Sequence, residues 1–172
     1  MAQAGYYAVS LPEYGIKAEA SATLRSGIER FTFSGGQGHI LFNTGMSVSS
    51  VSGAYVKVVS PTEIEGYKKI GGFCGNGEEG LVYFVAKVSK KPQKIGLWNN
   101  KELCSRKIVE AKGNDVGAYF TYNLKKGEQV EIKVGVSYVG IHNARLNLTA
   151  EQSGFRFDTV LSLIHISEPT RR

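Results

Sequence analysis

Three features of the sequence predict an all-β fold, a two-sheet antiparallel β-sandwich. Apolar and polar residues alternate with a period of two, turn residues interrupt this alternation at short intervals, and 21 of the 172 residues are glycine. Many short strands without intervening helices are typical of sandwiches and barrels. A chain of this length is long enough to bury a sizeable core as one domain.

The alternation is clearest at 16–23 and 130–136. In these segments we expect one buried strand face, with the polar residues, Glu19 and Lys133 among them, on the solvent face. Further strands are expected, in chain order, at 6–11, 28–33, 39–43, 47–59, 63–73, 81–90, 94–98, 103–111 and 116–124. Turn residues separate them at 34–38, 75–77, 99–100, 113–115 and 125–127.

A short helix is predicted near the C-terminus. Ala144, Leu148 and Gln152 recur at fourfold spacing in a run without Gly or Pro, which indicates a helix at 143–152, and Gly154 is placed to end it. Residues 1–160 contain no linker rich in Pro or Ser, so we expect them to form a single unit.

Charge and cysteine content exclude few partners. The formal net charge of +6 is scattered along the chain, which is weak evidence for a polyanion partner. No apolar run is long enough to span a membrane. Cys74 and Cys104 lie outside any CxxC spacing, so a zinc site is not expected. They are either two buried thiols, the favoured interpretation, or a disulfide if the protein is exported.

Two short motifs do not pass their structural test. Residues 75–80 match GxGxxG, but they lead into a predicted strand, whereas a dinucleotide fingerprint must open a helix; a hairpin connection is the better interpretation. The glycosylation acceptor that begins at Asn147 falls within the predicted helix, where packing explains it better.

The acidic and histidine residues form no recognisable catalytic or metal-binding pattern. Most carboxylates are expected at turns or on solvated strand faces, namely Glu13, Glu63, Glu65, Glu78, Glu79, Asp115, Glu128 and Glu131. Glu151 and Asp158 either face a following domain or lie on a solvated surface. His39 and His142 have no serine, cysteine or carboxylate at a spacing typical of a triad or metal site.

Trp98 is the one candidate substrate-binding residue. Lysines at 87, 90, 91 and 94 precede it. Basic residues interleaved with aromatic ones occur in nucleic-acid sites, but lysines also protect sheet edges from pairing with other chains. Because edge protection is the favoured explanation, no nucleic-acid partner is expected. If the Trp98 side chain is exposed, it could stack on a sugar ring. The alternative, burial of its large apolar body, is the commoner outcome.

A series of segments resembles the N-terminal domain of glycoside hydrolase family 92, the calcium-dependent exo-acting α-mannosidases. The matching blocks follow one order and cover nearly all of residues 5–160. They lie at 5–11, 16–19, 23–27, 30–33, 40–43, 71–75, 82–84, 117–120, 133–139 and 143–158.

The resemblance implies a sandwich of the supersandwich type, joined in the parent enzyme to a C-terminal α/α-barrel domain. It implies inverting hydrolysis of terminal α-linked mannose from glycans, with the acid, the base and the calcium ligands in the barrel. We therefore expect no catalytic, cofactor or metal residue in this chain. It would be an inactive accessory domain that supports the catalytic barrel and one wall of the sugar pocket, in a secreted or periplasmic bacterial enzyme. The alternatives are a free-standing carbohydrate-binding or adhesion sandwich and a purely structural domain.

Residues 161–172 resemble the translation of a transposon-end adapter used in sequencing libraries. We therefore expect the native domain to be partial and to cover 1–160, with 161–172 an artefactual tail. The alternative is a genuine amphipathic tail.

Overall fold

The computed structural model describes residues 1–72 and 79–167. Its strands are β1 (Ala2–Gln3), β2 (Tyr6–Leu11), β3 (Ile16–Ala22), β4 (Ser26–Phe33), β5 (Gly36–Asn43), β6 (Ser50–Ser60), β7 (Glu63–Gly71), β8 (Glu79–Val88), β9 (Lys94–Asn99), β10 (Glu102–Leu103), β11 (Glu110–Gly113), β12 (Val116–Leu124) and β13 (Gln129–Ser137). A 3₁₀ turn covers Pro12–Tyr14, and the helices are α1 (Ile141–Glu151) and α2 (Phe157–Ser167).

The strands form two antiparallel sheets of unequal width, which confirms the predicted sandwich. The large sheet has the order β1-β2-β3-β4-β13-β8-β7-β6-β11, and the small sheet has the order β10-β9-β12-β5. In the described part of the chain, β5 pairs only with β12, so it forms one edge of the small sheet. Predicted and observed strands agree closely, with β2 and β12 matching at both ends.

The predicted strand at 103–111 is wrong. The chain leaves the small sheet after Leu103 and joins the large sheet only at Glu110. Between these two short strands a turn closes with a hydrogen bond from Ile108 N–H to Ser105 O at 2.9 Å. A segment that crosses between sheets cannot pair continuously in either, although its residues favour a strand.

The main core fills the space between the two sheets. The large sheet contributes fully buried residues such as Val56, Ile64 and Val130, and the small sheet contributes Leu97 and Phe120. These side chains alternate along their strands, as a half-buried strand requires.

Both helices cover the outer face of the large sheet. Leu148 of α1 packs with Val85 beneath it, and a β-carbon at Gly135 would lie 2.6 Å from the Leu148 β-carbon, so α1 crosses β13 at this glycine. Phe157 and Val160 of α2 pack on Ile28 of β4. Observed α1 confirms the helix predicted at 143–152.

The helices overturn the expectation that Glu19 and Lys133 face solvent. Both are buried, at 5% and 6% exposure, because the polar face of β3 and β13 lies beneath the helical layer. Lys133 Nζ donates to the carbonyl oxygen of Gln152 at 2.7 Å, so it is paired where α1 ends. Within the described residues, no helix is long and apolar enough to cross a membrane.

Candidate functional site

The outer face of the small sheet carries an open groove of about 440 Å³. Strand register brings its floor together, since Thr121 of β12 lies between His39 of β5 and Lys94 of β9. The lining residues are His39, Leu41, Lys94, Trp98, Lys101, Leu103, Tyr119 and Thr121. The predicted sugar-contact residue therefore lies in a groove of the size that small-molecule sites usually have.

The indole of Trp98 packs over Gly117 of the neighbouring strand. A β-carbon at Gly117 would collide with Cζ2 of the indole and would lie 2.5 Å from the carbonyl oxygen of Phe42. The indole Nε1 donates to Asp115 Oδ1 at 3.2 Å, which fixes the orientation of the ring. Trp98 is half-buried, so the structure places it between the fully exposed and fully buried alternatives. Its contact with sugar stays a prediction.

Tyr119 occupies the centre of the groove floor. It is 8% exposed and lies over Gly96, where a β-carbon would be 2.5 Å from the tyrosine Cζ. The Lys94 ammonium lies 5.1 Å from the centroid of the Tyr119 ring, a cation–π distance. His39 Nδ1 and Thr121 Oγ1 lie 3.1 Å apart, within hydrogen-bonding distance.

A tight hairpin turn forms the rim of the groove. Asn100 and Lys101 join β9 to β10, and their φ angles are 50° and 67°. Two successive left-handed residues between paired strands are typical of a type I′ turn, which favours Asn at the first position and Gly at the second. Lys101 therefore occupies a position that is sterically unfavourable for lysine.

The lining side chains can bind but offer no carboxylate for acid–base catalysis. They supply two ammonium groups, an imidazole, two hydroxyls and the apolar surfaces of Trp98, Leu41 and Leu103. Hydrolysis of a glycosidic bond needs a pair of carboxyl groups on opposite sides of it. The groove suits recognition of a ligand rather than its cleavage.

Two carboxylates predicted to be solvated instead attach α1 to the large sheet. Arg145 of α1 pairs with Glu63, and its Nη2 lies 2.6 Å from Glu65 Oε2. Lys87 lies 2.9 Å from Glu63 on the neighbouring strand. Burial tends to raise the pKa of Glu63, but the hydrogen bonds from Lys87 and Arg145 outweigh it and lower the pKa. These residues hold the fold together.

Glu151 faces the domain itself rather than solvent or a following domain. Its carboxylate accepts from the backbone N–H of Arg25 at 2.9 Å and from Arg25 Nε at 2.8 Å. Burial raises its pKa, but these bonds and one from Thr23 prevail and lower the pKa to about 2. Asp158 is 81% exposed and lies 2.9 Å from Arg30.

A buried ionic cluster beneath α2 was not predicted from the sequence. Arg30 Nε lies 3.0 Å from Glu19 Oε2, and the Tyr6 hydroxyl donates to Glu19 Oε1 at 2.7 Å. The bond from Arg30 has the largest effect on Glu19, and together with the bond from Tyr6 it outweighs burial and lowers the pKa to about 2. Burial raises the pKa of the neighbouring Glu131. Only knowledge of where α2 packs would have revealed this cluster.

The lysines that precede Trp98 have different roles. Lys87 lies on β8 in the interior of the large sheet, so protection of an edge does not explain it. Lys90 pairs with Glu128, whereas Lys94 joins Trp98 in the groove. Along residues 1–72 and 79–167, no three His, Cys, Asp or Glu side chains are grouped so as to hold a metal ion.

The remaining sequence motifs contribute none of the described residues that line the groove. The first part of the GxGxxG segment and Cys74 fall outside the described residues, so pairing of Cys74 with the half-buried Cys104 stays untested. The segment that follows is strand β8, as predicted. Asn147 lies in α1 and donates to Val136 O at 2.8 Å, which confirms a packing role.

Comparison with known proteins identifies both a family model and solved relatives. Residues 1–137 match the model of the glycosyl hydrolase family 92 N-terminal domain. The GH92 α-mannosidase BT3965 from Bacteroides thetaiotaomicron superposes with a TM-score of 0.85 at 30% identity. The alignment covers 94% of this chain and 23% of that enzyme.

A second solved relative supports the fold at lower identity. The GH92 inverting mannosidase BT2199 from Bacteroides thetaiotaomicron VPI-5482 gives a TM-score of 0.80 at 17% identity, covering 94% of this chain and 21% of that protein. No curated protein matches the chain. The chain spans less than a quarter of the length of either of these two mannosidases.

Proposed function

Because the chain belongs to glycosyl hydrolase family 92, matching the N-terminal domain of that family, we propose that it is the accessory β-sandwich of an inverting exo-α-mannosidase. The parent enzyme would hydrolyse terminal α-linked mannose from glycans and carry its catalytic groups in a C-terminal α/α-barrel. Residues 1–160 would form the accessory domain, which alone would be inactive. From the family resemblance we also propose that the parent enzyme is secreted or periplasmic in a bacterium.

The observation that carries the proposal is the coverage of the alignment. Nearly all of this chain aligns with under a quarter of an α-mannosidase at 30% identity. A domain of this kind supports catalysis by holding binding groups rigidly beside the catalytic domain. The large sheet is suited to that role, since the core covers one face and the two helices cover the other.

The groove around Trp98 is the surface that we assign to one wall of the sugar pocket. An indole ring fixed by Asp115 can stack on the apolar face of a pyranose without losing conformational freedom when sugar binds. Preorganised contacts of this kind strengthen binding and leave the chemical step to other residues.

Calcium, which the resemblance implies for the parent enzyme, finds no fitting site among the described residues. Ca²⁺ needs six to eight oxygen ligands, and residues 1–72 and 79–167 contain no group of three acidic, His or Cys side chains arranged to hold a metal ion. The proposal therefore assigns no calcium ligand to this chain and no step to the metal.

Recovery of the complete gene and expression of its product test the proposal. We expect the full-length enzyme to release mannose from α-linked mannobiose, with the β-anomer as the first product in NMR spectra, because inverting hydrolysis changes the anomeric configuration. The present chain alone should release none. A downstream sequence without an acidic catalytic barrel, or hydrolysis by this chain alone, would contradict the proposal.

A Trp98→Ala variant of the full-length enzyme tests the pocket wall. Loss of the ring should raise KM more than it lowers kcat, because a wall contributes to ground-state and transition-state binding alike. Tyr14→Ala is the matched control, since Tyr14 is an aromatic residue 72% exposed in the 3₁₀ turn. Equal effects of both substitutions on KM would show that Trp98 is not part of the pocket wall.

The second candidate function is a free-standing carbohydrate-binding or adhesion sandwich. The groove favours it because a ring platform, two hydroxyls and cationic groups lie together without catalytic carboxylates. Titration of the present chain with mannobiose, followed by Trp98 fluorescence, distinguishes this candidate from the accessory domain. Binding that Trp98→Ala abolishes would support this candidate; no binding would favour the accessory domain.

A further inference from the structure

The groove contains two lysines, Lys94 and Lys101, that have no acidic partner among the described residues. Among the described residues, Lys17, Lys69, Lys87 and Lys90 each form an ion pair with a glutamate. Lys94 and Lys101 form none, and no carboxylate lines the groove beside them. Ammonium groups next to apolar ring surfaces are less screened than groups in open solvent.

The cations and the stacking ring line the same groove. Lys94 lies over the ring of Tyr119, and Lys101 lies on the turn between β9 and β10, three residues after Trp98. Trp98 is packed against Gly117 on one side and lines the groove. A ligand that stacks on the indole would place its substituents close to ammonium groups.

From this charge complementarity we infer that the groove binds an anionic saccharide, a pyranose chain that carries a carboxylate, sulfate or phosphate group. The pyranose face meets Trp98, and the anionic group meets Lys94 and Lys101. The inference extends the sugar contact proposed for Trp98 and names a ligand class that the hydrolase proposal does not require.

The groove suits a saccharide better than a single-stranded nucleic acid. Proteins that bind single strands use several stacking platforms along a continuous basic track. Here Tyr119 is 8% exposed, which leaves the Trp98 indole and the smaller His39 imidazole as the accessible rings, and the two lysines of the groove do not form a continuous basic track. A volume of about 440 Å³ accommodates a short oligosaccharide segment.

The turn at Lys101 provides a variant that removes charge without harming the fold. Glycine is the preferred residue at the second position of a type I′ turn, so Lys101→Gly should relieve backbone strain and remove a cation together. Lys94→Gln removes the second cation. Lys112→Gln is the matched control, because Lys112 is an exposed strand lysine on β11 in the other sheet.

Titration of the complete chain, read by Trp98 fluorescence, tests the inference. The probes are an oligogalacturonate, a sulfated galactan fragment, a mannose phosphate and neutral mannobiose, so that each source of negative charge is separate. We expect at least one anionic probe to bind about tenfold more tightly than mannobiose, and increasing salt should weaken it. Lys94→Gln and Lys101→Gly should each weaken binding about threefold or more.

Several outcomes would overturn the inference. These are equal affinity for neutral and anionic probes, an equal effect of Lys112→Gln, tighter binding of an oligothymidylate than of any saccharide, and no binding by any probe. Each leaves the hydrolase proposal intact, because that proposal depends on the activity of the full-length enzyme. Conversely, a full-length enzyme without activity would contradict the hydrolase proposal but not the inference that this chain binds an anionic saccharide.

Discussion

Gly117 permits the groove to exist in its present form. The indole of Trp98 occupies the volume that a side chain at 117 would need, and the backbone oxygen of Phe42 closes the other side. A glycine inside a strand is normally unfavourable, but here it allows an aromatic ring to lie against the backbone. The shape of the groove therefore depends on the absence of one β-carbon.

Gly117→Ala should destabilise the chain and move Trp98. We expect a loss of about 2 kcal/mol in the free energy of unfolding, because the added methyl group overpacks a site bounded by backbone. Urea denaturation gives the stability, and the fluorescence of this single tryptophan reports the ring. Gly53→Ala is the control, since nothing lies within 4 Å of a β-carbon there. Similar results for both variants would contradict the prediction.

Glu19 should make the stability of the fold depend on pH under acidic conditions. Its pKa falls from 4.5 to about 2 in the folded state, so its contribution is complete above 4.5 and is lost as pH falls toward 2. The contribution is at most about 3 kcal/mol. Urea denaturation at a series of pH values should show that stability falls less steeply below pH 4.5 in Glu19→Gln than in the unchanged chain. Glu102→Gln on β10 should not alter this pH dependence. An unchanged limb in Glu19→Gln would refute this role.

The sequence allowed only part of the groove to be predicted. Trp98 could be identified because it is the single tryptophan and lies beside turn residues. His39 and Tyr119 could not, because they come from β5 and β12, and only the pairing of these strands with β9 brings them near Trp98. Register between distant strands is decided by packing, which a local pattern does not reveal.

Helix α2 is attached to the large sheet by an aromatic anchor. Phe157 is 1% exposed, its ring and that of Tyr6 form a T-shaped pair, and the Arg30 guanidinium lies 4.3 Å from the Phe157 ring centroid. Residues 157–160 are too few to predict a helix, and the segment that continues it was assigned to the artefactual tail. The fold of this element thus escaped prediction, whereas the strands, whose period is visible in the sequence, did not.

Phe157→Ala should release α2 from the sheet. We expect a loss of about 3–5 kcal/mol, since the change removes a fully buried ring from a packed site. Hydrogen exchange should speed up in α2 and in Tyr6–Leu11 because these segments would open locally. In Val116–Leu124, exchange should still require global unfolding. Leu163→Ala, on a side chain 52% exposed, is the matched control. A loss of similar size in the control would argue against a single anchor.

The molecule is a sandwich with an added helical layer over one sheet. This arrangement explains why alternation located β3 and β13 correctly but misassigned their polar faces: both strands are covered on both sides, by the core and by helices. The partition into nine and four strands was not predictable, because alternation identifies strands without identifying their partners.

Deletion of residues 161–172 should leave the domain folded, as expected of an artefactual tail. The buried anchors Phe157 and Val160 precede the cut, and Leu161 is only partly buried against them. The expected loss is about 1 kcal/mol, measured by thermal denaturation. Deletion from Phe157 onward, which removes both anchors, should cost several times more. Unfolding of the shorter deletion would show that the segment is part of the fold.

The edge position of β5 has a consequence for how the chain behaves in solution. Gly36–Asn43 contains no lysine, arginine, aspartate, glutamate or proline, and its outer side has no partner strand among the described residues. Backbone N–H and C=O groups along such an edge form a template for pairing with another molecule. Self-association should therefore rise with protein concentration, so dilution, rather than added salt, is the condition that keeps this domain monomeric.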